Sequence, residues 1–418
     1  MSSVPAEGAA GKSGQKKLRW ELADIFRLHG EDYRRSHALP PSHLKVMRAI
    51  ELCRTAALGG HVEQCDACGF ERHSYNSCRN RHCPKCQALA KARWLEARVA
   101  ELLPVAYFHN VFTLPHEINL IARYNKKVVF NMLFKAVTET LQEFAADPKH
   151  LGGKIGFTVI LHTWDQKLMD HLHLHCVIPA GVLSPDGSRW IHARKNFLFP
   201  VKALGIMFRG KFICFLKQAI ADGKLIFPDK MAFSGAKEEF SRLIDELYRK
   251  NWVVYSKAPF AGPKKVLDYL GRYTHRVAIS NYRILAVENG SVTFSYRDSR
   301  DDNKRKVMTL EAGEFIRRFL LHTLPASFMR IRHFGFLANR AKQRDLPRCR
   351  ELLQLPTEPP ELPEPCKETT QEMVLRLTGA DVTKCPRCGK GCLRITAELP
   401  KLSPLSLKTS QPVLWDSS

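Results

Sequence analysis

The chain has 418 residues, enough for one large domain or two to three smaller ones. With 44% apolar and 25% charged residues it has the balance of a soluble globular protein. Its 65 Lys and Arg against 41 Asp and Glu leave a net charge of +24, which makes a polyanion the favoured partner. No apolar run approaches the ~20 residues of a spanning helix. Met1 to Gly8 lacks the apolar core of a signal peptide, so a membrane surface gives way to nucleic acid. Of the 13 cysteines, an odd number, six fall in three Cys-x-x-Cys pairs, which points to reduced thiolates holding metal in a reducing cytoplasm rather than to a disulfide framework.

In chain order, residues 1–17 read as a small, polar, disordered arm. Residues 18–58 carry a helical pattern broken at Pro40-Pro41-Ser42. A cysteine-rich stretch fills 65–86 and a helix follows to Pro104, so 18–103 forms a zinc-binding, DNA-contacting module. A strand at 105–114 opens a second domain, 104–345. One long helix is expected from Pro115 to about Ala146. Two strands, 156–163 and 172–178, are separated by a short turn and pair as an antiparallel hairpin. Residues 200–250 read as helical, 252–256 as a strand and 264–274 as a short helix. A hairpin turns at Asn289-Gly290, and a helix covers 314–321. A Pro- and Glu-rich linker then leads to a small tail, giving a final segment of 346–418. The order of elements predicts an α+β fold: a mostly antiparallel palm with flanking helices, preceded by the small helical zinc module.

Cys65-x-x-Cys68 and Cys83-x-x-Cys86 supply four soft ligands, the number a closed structural zinc site requires. Cys78, His73 and His82 lie in the same stretch and could exchange into the set. Arg79, Arg81, Lys85, Lys91 and Arg93 would then form a rigid basic surface for phosphates. A second pair, Cys385 and Cys388, could make another zinc knuckle with Cys392, Cys366 or Cys349.

His171, His173 and His175 recur at period two, so on a strand they share one face while Leu172 and Leu174 take the other. Neighbouring imidazoles with open positions suit Mn²⁺, or Mg²⁺ completed by water and phosphate. A third ligand is expected from His162, Asp165 or Gln166. Tyr269 and Tyr273 stand four apart, one helical turn, among Lys264, Lys265, Arg272 and Arg276. A phenol of pKa ~10 can serve as a covalent nucleophile when positive charge eases its attack.

Taken together, Tyr75–Gln87, His162–Gln166, His171–Val177, Tyr269–Asn281 and Arg330–Asn339 resemble the rolling-circle transposases of the insertion-sequence-91 family, within the His-hydrophobe-His (HUH) nucleases. The resemblance spans roughly residues 40–350 and departs at Leu172, where proline is expected in many relatives. It implies that His173 and His175 bind the metal and that Tyr269 and Tyr273 are the nucleophiles. It further implies cleavage of single-stranded DNA at element ends and target to a 5′-phosphotyrosine, within the bacterial cytoplasm at the nucleoid. A plasmid replication initiator or relaxase would share that chemistry. A non-catalytic zinc DNA-binding protein would account for the charge and cysteines but not for the histidine strand.

Overall fold

In the computed structural model the described residues are 20–99, 101–227, 236–260, 266, 271, 277–298, 300–354 and 368–402. The centre is an antiparallel five-stranded sheet built from β3 (Tyr107–Thr113), β4 (Gly156–Trp164), β5 (Asp170–Pro179), β8 (Val254–Phe260) and β12 (Ile331–Gly335). The spatial order is β12-β4-β5-β3-β8. Period-two alternation gives the three inner strands two distinct faces. Phe157, Val159 and Leu161 of β4, Leu172, Leu174 and Ile178 of β5, and Phe108 and Phe112 of β3 join one large core. Two 21-residue helices cover that face, α5 (Lys126–Ala146) and α6 (Val201–Ala221). Phe208 of α6 meets Phe112 edge-on at 5.3 Å between ring centres.

The opposite face is polar at one end and apolar at the other. Tyr107, Ile160 and Val177 are buried with Val266 there, under Trp94 and Leu95 of α3 (Gln87–Val99). The sheet therefore has one largely apolar face, on which Asn110 is the buried polar member of β3, and one that opens to a cleft.

A second core joins the start of the chain to its later part. Helices α1 (Leu22–Ser36) and α2 (Pro41–Glu51) pack with β9 (Ile284–Glu288), β10 (Ser291–Asp298), β11 (Lys304–Glu311) and α8 (Ala312–Leu321). Phe26 of α1 meets Phe319 of α8 edge-on at 5.6 Å. The β9–β10 turn has positive φ at both Asn289 (49°) and Gly290 (71°), the tight hairpin turn that Asn-Gly favours. Strand β11 extends this sheet on the far side of β10.

The architecture is the predicted α+β palm with its N-terminal cysteine-bearing helical region. The expected single helix from Pro115 is instead two, α4 (Ile118–Tyr124) and α5, because Asn125 interrupts it. The Asn125 side chain donates to the Ile226 carbonyl and accepts from the Ile226 N–H, both at 2.7 Å, so its backbone leaves helical geometry to reach a distant strap. Within the cysteine-rich stretch, β1 (Gly60–Cys65) and β2 (Glu71–Tyr75) pair antiparallel. The tail strand β13 (Leu393–Leu399) returns to the outer side of β1. The expected arm, 1–17, and most of the expected helix over 264–274 lie outside the described residues.

Gly335, at the end of β12, has φ of +61°, and a Cβ there would stand 1.5 Å from the Ile155 carbonyl oxygen. Gly187 has a similar φ of +72° with open space around it. Gly335→Ala should therefore cost roughly 2–4 kcal/mol from backbone strain plus overpacking, and Gly187→Ala about 1 kcal/mol from strain alone. Urea denaturation of the two variants checks the difference.

Candidate active site and metal centres

The β4–β5 register sets the site. His162 lies directly opposite His173, and Ile160 opposite His175. The two strands thus bring three imidazoles onto one face, with their candidate ligand nitrogens all within 4.8 Å of one another. His162, His173 and His175 are 3%, 8% and 6% exposed, so the group is recessed rather than a solvated polar stripe. His171 sits exposed at the mouth, outside this group.

Hydrogen bonds orient two of these rings. The His173 Nδ1–H donates to the His171 carbonyl at 2.7 Å, which places the lone pair on Nε2. His175 Nδ1 is 2.9 Å from Nε2 of His109, a buried histidine on the neighbouring strand β3. Burial and nearby Lys257 push the His109 imidazole down to about 4, so it stays neutral and its Nε2 can accept a hydrogen bond from the His175 Nδ1–H. An imidazole whose Nδ1 donates to a fixed partner presents Nε2 to a metal. His162 stacks on Trp164 at 5.0 Å between ring centres.

A cleft of about 470 Å³ opens over the trio. Lys167, Arg297 and Arg300 line it with positive charge against the two carboxylates of Asp165 and Asp298, and Gln166 lies on the rim. Asp165 is committed to shaping the turn, since its Oδ1 accepts from the N–H groups of Lys167 and Met169, each at 2.8 Å. Arg283 caps the Gln166 carbonyl, and Arg318 bonds the Lys167 carbonyl at 3.2 Å. Gln166 lines the same cleft as the histidines. Tyr269 and Tyr273, together with Lys264, Lys265, Arg272 and Arg276, lie outside the described residues.

The expected zinc set of Cys65, Cys68, Cys83 and Cys86 does not assemble. The structure divides it between two clusters. Cys83 and Cys86 meet Cys53 and Cys78, while Cys65 and Cys68 meet Cys385 and Cys388. The first knuckle lies at the turn of the β1–β2 hairpin and the second follows β2, and each meets its own pair of partner cysteines. In the first cluster the Sγ atoms of Cys53 and Cys78 are each 3.6 Å from that of Cys86, and Cys53 and Cys83 are 3.7 Å apart. Thiolates on one tetrahedral zinc, bound at about 2.3 Å, stand about 3.8 Å apart. Cys53 and Cys83 belong to the same core as Trp164 and Leu168, which begin and shape the turn beside the histidines.

His73 and His82 stay outside both clusters. His73 stacks on Tyr75 in β2, and His82 accepts from the Leu324 N–H at 3.4 Å. Two members of the expected basic surface have internal work. Arg81 donates to the carbonyls of Phe328 and Pro325, and Lys85 pairs with Glu21 at 2.5 Å. Cys349 is buried in a separate apolar cluster, Cys392 is exposed, and Cys366 lies outside the described residues.

His109 and Cys53 were not singled out from the sequence. The signal for His109 was one polar ring in the apolar run Tyr107-Phe-His-Asn-Val-Phe-Thr113, at the parity that shares a sheet face with other histidines. Cys53 lies in the turn after α2, 25 residues before its nearest partner in sequence, Cys78, and no spacing rule links them.

A basic palm with a recessed histidine site, joined to a cysteine-rich module, is the build of a DNA-processing protein, and comparison with known proteins places it further. One family model, "Transposase zinc-binding domain", matches residues 25–114, and another, "Putative transposase", matches 156–344. The "Putative transposase y4qJ" of Sinorhizobium fredii (strain NBRC 101917 / NGR234) is 50% identical over 399 residues, 95% of this chain and 98% of its own. The "Transposase for insertion sequence element IS801" of Pseudomonas savastanoi pv. phaseolicola is 28% identical over 343 residues, 81% of this chain and 79% of its own. No solved structure matches the chain. The chain belongs to the insertion-sequence-91 family of transposases, DNA-binding enzymes that cut and transfer DNA, and it carries that family's zinc-binding domain. Among the described residues no helix is long and apolar enough to cross a membrane.

His322 packs behind the histidine strands, 2% exposed, with Nε2 3.1 Å from the Leu168 carbonyl. Burial pushes its imidazole down to about 4. Its unfolded form takes up a proton near pH 6.5 while the folded form does not. Stability present above pH 6.5 should therefore be lost as pH falls from about 6.5 toward 4. Urea midpoints across that window should decline less steeply in His322→Gln than in the wild type.

Proposed function

We propose that this transposase cuts and rejoins single-stranded DNA by tyrosine attack, with a divalent ion held by His162, His173 and His175. The observation that carries the reading is the recessed histidine trio, with the Nδ1 atoms of His173 and His175 hydrogen-bonded and a basic cleft in front. The donor set fits such an ion: three imidazoles on one face leave positions for a phosphate oxygen and water, as Mn²⁺ or Mg²⁺ would use. His162 is the preferred third ligand over Gln166, because it is fixed on β4 directly opposite His173. When bound, the ion would draw charge from the scissile phosphate and stabilise the departing oxygen.

The chain's own residues do the rest. Lys167, Arg297 and Arg300 hold the DNA backbone in the cleft. His109 keeps the His175 ring in one orientation. Tyr269 or Tyr273 attacks phosphorus through its phenolic oxygen. The new P–O bond makes a 5′-phosphotyrosine, the bond to the 3′ oxygen breaks, and that oxygen leaves as a free 3′-hydroxyl, taking up one proton for the one the phenol gives up. Two described residues of the same stretch of sequence support the reading. Val266 is buried against Ile160 and Val177, on the same sheet face as the histidines. Gly271 lies close enough to α3 that an added Cβ would stand 3.0 Å from Leu95 and 3.1 Å from Lys91. A single strand suits the cleft because one phosphodiester must reach metal and phenol together. We also assign the zinc-binding domain's structural zinc to Cys53, Cys78, Cys83 and Cys86, and the site of action to the bacterial cytoplasm, on element ends and target DNA.

Labelled single-stranded DNA from the element's ends tests the mechanism. Wild-type protein should form a covalent adduct that maps to Tyr269 or Tyr273, and the double replacement Tyr269→Phe with Tyr273→Phe should form none. His173→Ala should reduce cleavage by at least about 100-fold, the cost of disabling a main electrostatic group, while salt-sensitive DNA binding persists on Lys and Arg. An adduct at neither tyrosine overturns the nucleophile assignment. An undiminished adduct in chelator overturns the role of the histidines.

A further inference from the structure

We propose that Cys65, Cys68, Cys385 and Cys388 form a second structural zinc site, one that fastens the tail of the chain to its N-terminal module. The two pairs are more than three hundred residues apart in sequence, yet the Sγ atoms of Cys65 and Cys388 are 3.7 Å apart and those of Cys68 and Cys385 are 3.6 Å apart. All four lie within 4.8 Å of one another. Those separations match the about 3.8 Å between thiolates on one tetrahedral zinc, and exceed the about 2.05 Å of a disulfide.

The backbone around them is built in duplicate. Each pair reads Cys-x-x-Cys-Gly, and each glycine takes a positive φ, 69° at Gly69 and 66° at Gly389. In each, the glycine N–H donates to the carbonyl of the first cysteine, Gly69 to Cys65 at 3.1 Å and Gly389 to Cys385 at 2.9 Å. These are two equivalent knuckles facing one another across a four-sulfur centre. Gly391 marks how closely they meet, since a Cβ there would stand 2.4 Å from the Cys65 sulfur.

The strands leaving the knuckles are joined as well. Cys65 ends β1 opposite Leu393 at the start of β13, and the pairing runs on to Gly60 opposite Leu399. Asp66 reaches across, accepting from the Cys392 N–H at 2.8 Å and from Arg394 at 3.3 Å. Among the described residues, the apolar cluster at the knuckles adds Leu393 and Phe70 to the cysteines. A bound ion would join the two knuckles at the end of the β1–β13 ladder, where this small cluster gives little support. Four soft thiolates with no place for water select zinc and give it a structural role.

Metal analysis of the full chain, purified without chelator, tests the site. Wild type should hold two zinc ions per chain, and the double variant Cys385→Ser with Cys388→Ser should hold one. One ion in the wild type, or two in the variant, overturns the proposal. A measurement on unmutated protein avoids any question of misfolding: alkylation of native protein followed by peptide mapping. Cys68, Cys214 and Cys392 are all exposed. Cys214 and Cys392 should react at once, whereas Cys68 and Cys388 should react only after zinc is chelated, with at least a tenfold gain in rate. Cys68 reacting as fast as Cys392 before chelation would overturn the second site while leaving the first untouched.

Discussion

Antiparallel pairing of residues 156–164 with 170–179 decides where every reactive side chain of the palm points. Leu172, Leu174, Cys176 and Ile178 face the core under α5 and α6, so the alternating histidines must face the cleft. A slip of one residue would bury imidazoles in that core and expose the leucines, a large apolar penalty that holds the register in place. The same register sets His162 across from His173, and the next strand brings His109 to His175. The rest of the molecule steadies this hairpin. Arg283 and Arg318 reach its turn from the β9–β10 sheet and α8, and the first cysteine cluster shares a core with Trp164 and Leu168. A change in that module can therefore alter the cleft without touching DNA.

Elements whose signals are local were legible in the sequence. The period-two strands, the hairpin turn at Asn289-Gly290 and the break at Pro40 each depend on a few adjacent residues. The histidine face followed from alternation alone. Choosing which Cys-x-x-Cys pair meets which was a different matter. Short spacing identifies a knuckle, but its partner is fixed by how remote strands pack, and β1 finds β13 only in the finished fold. Strand β11 was hidden by its charged start, Lys304-Arg-Lys306, which reads as a loop because one side of it faces water. Asn125 breaks a helix for the sake of a strap a hundred residues away, and no neighbouring residue announces it.

Charge shows a similar division. The surplus of +24 correctly indicates DNA as partner, but it does not say which cations meet it. Arg81 spends its donors on two carbonyls and Lys85 on a carboxylate. Arg297 and Arg300, absent from any motif, stand at the mouth of the histidine cleft. In a protein with this many cations, position relative to the cleft separates structural from substrate-facing charge better than proximity to a motif does.

The pairing of β1 with β13 has a consequence for biosynthesis. A ribosome delivers residues 60–65 long before residues 385–399, so for most of translation β1 has β2 on one side and an open edge on the other. Contacts this distant in sequence form late and make folding slow. An open edge and unfilled thiols invite wrong partners meanwhile. Transcripts or gene copies that stop short of the tail would encode the histidine strands but leave β1 without its β13 neighbour. Synthesis through residue 399 thus becomes a checkpoint written into the topology: the outer edge of β1 is covered only when β13 arrives.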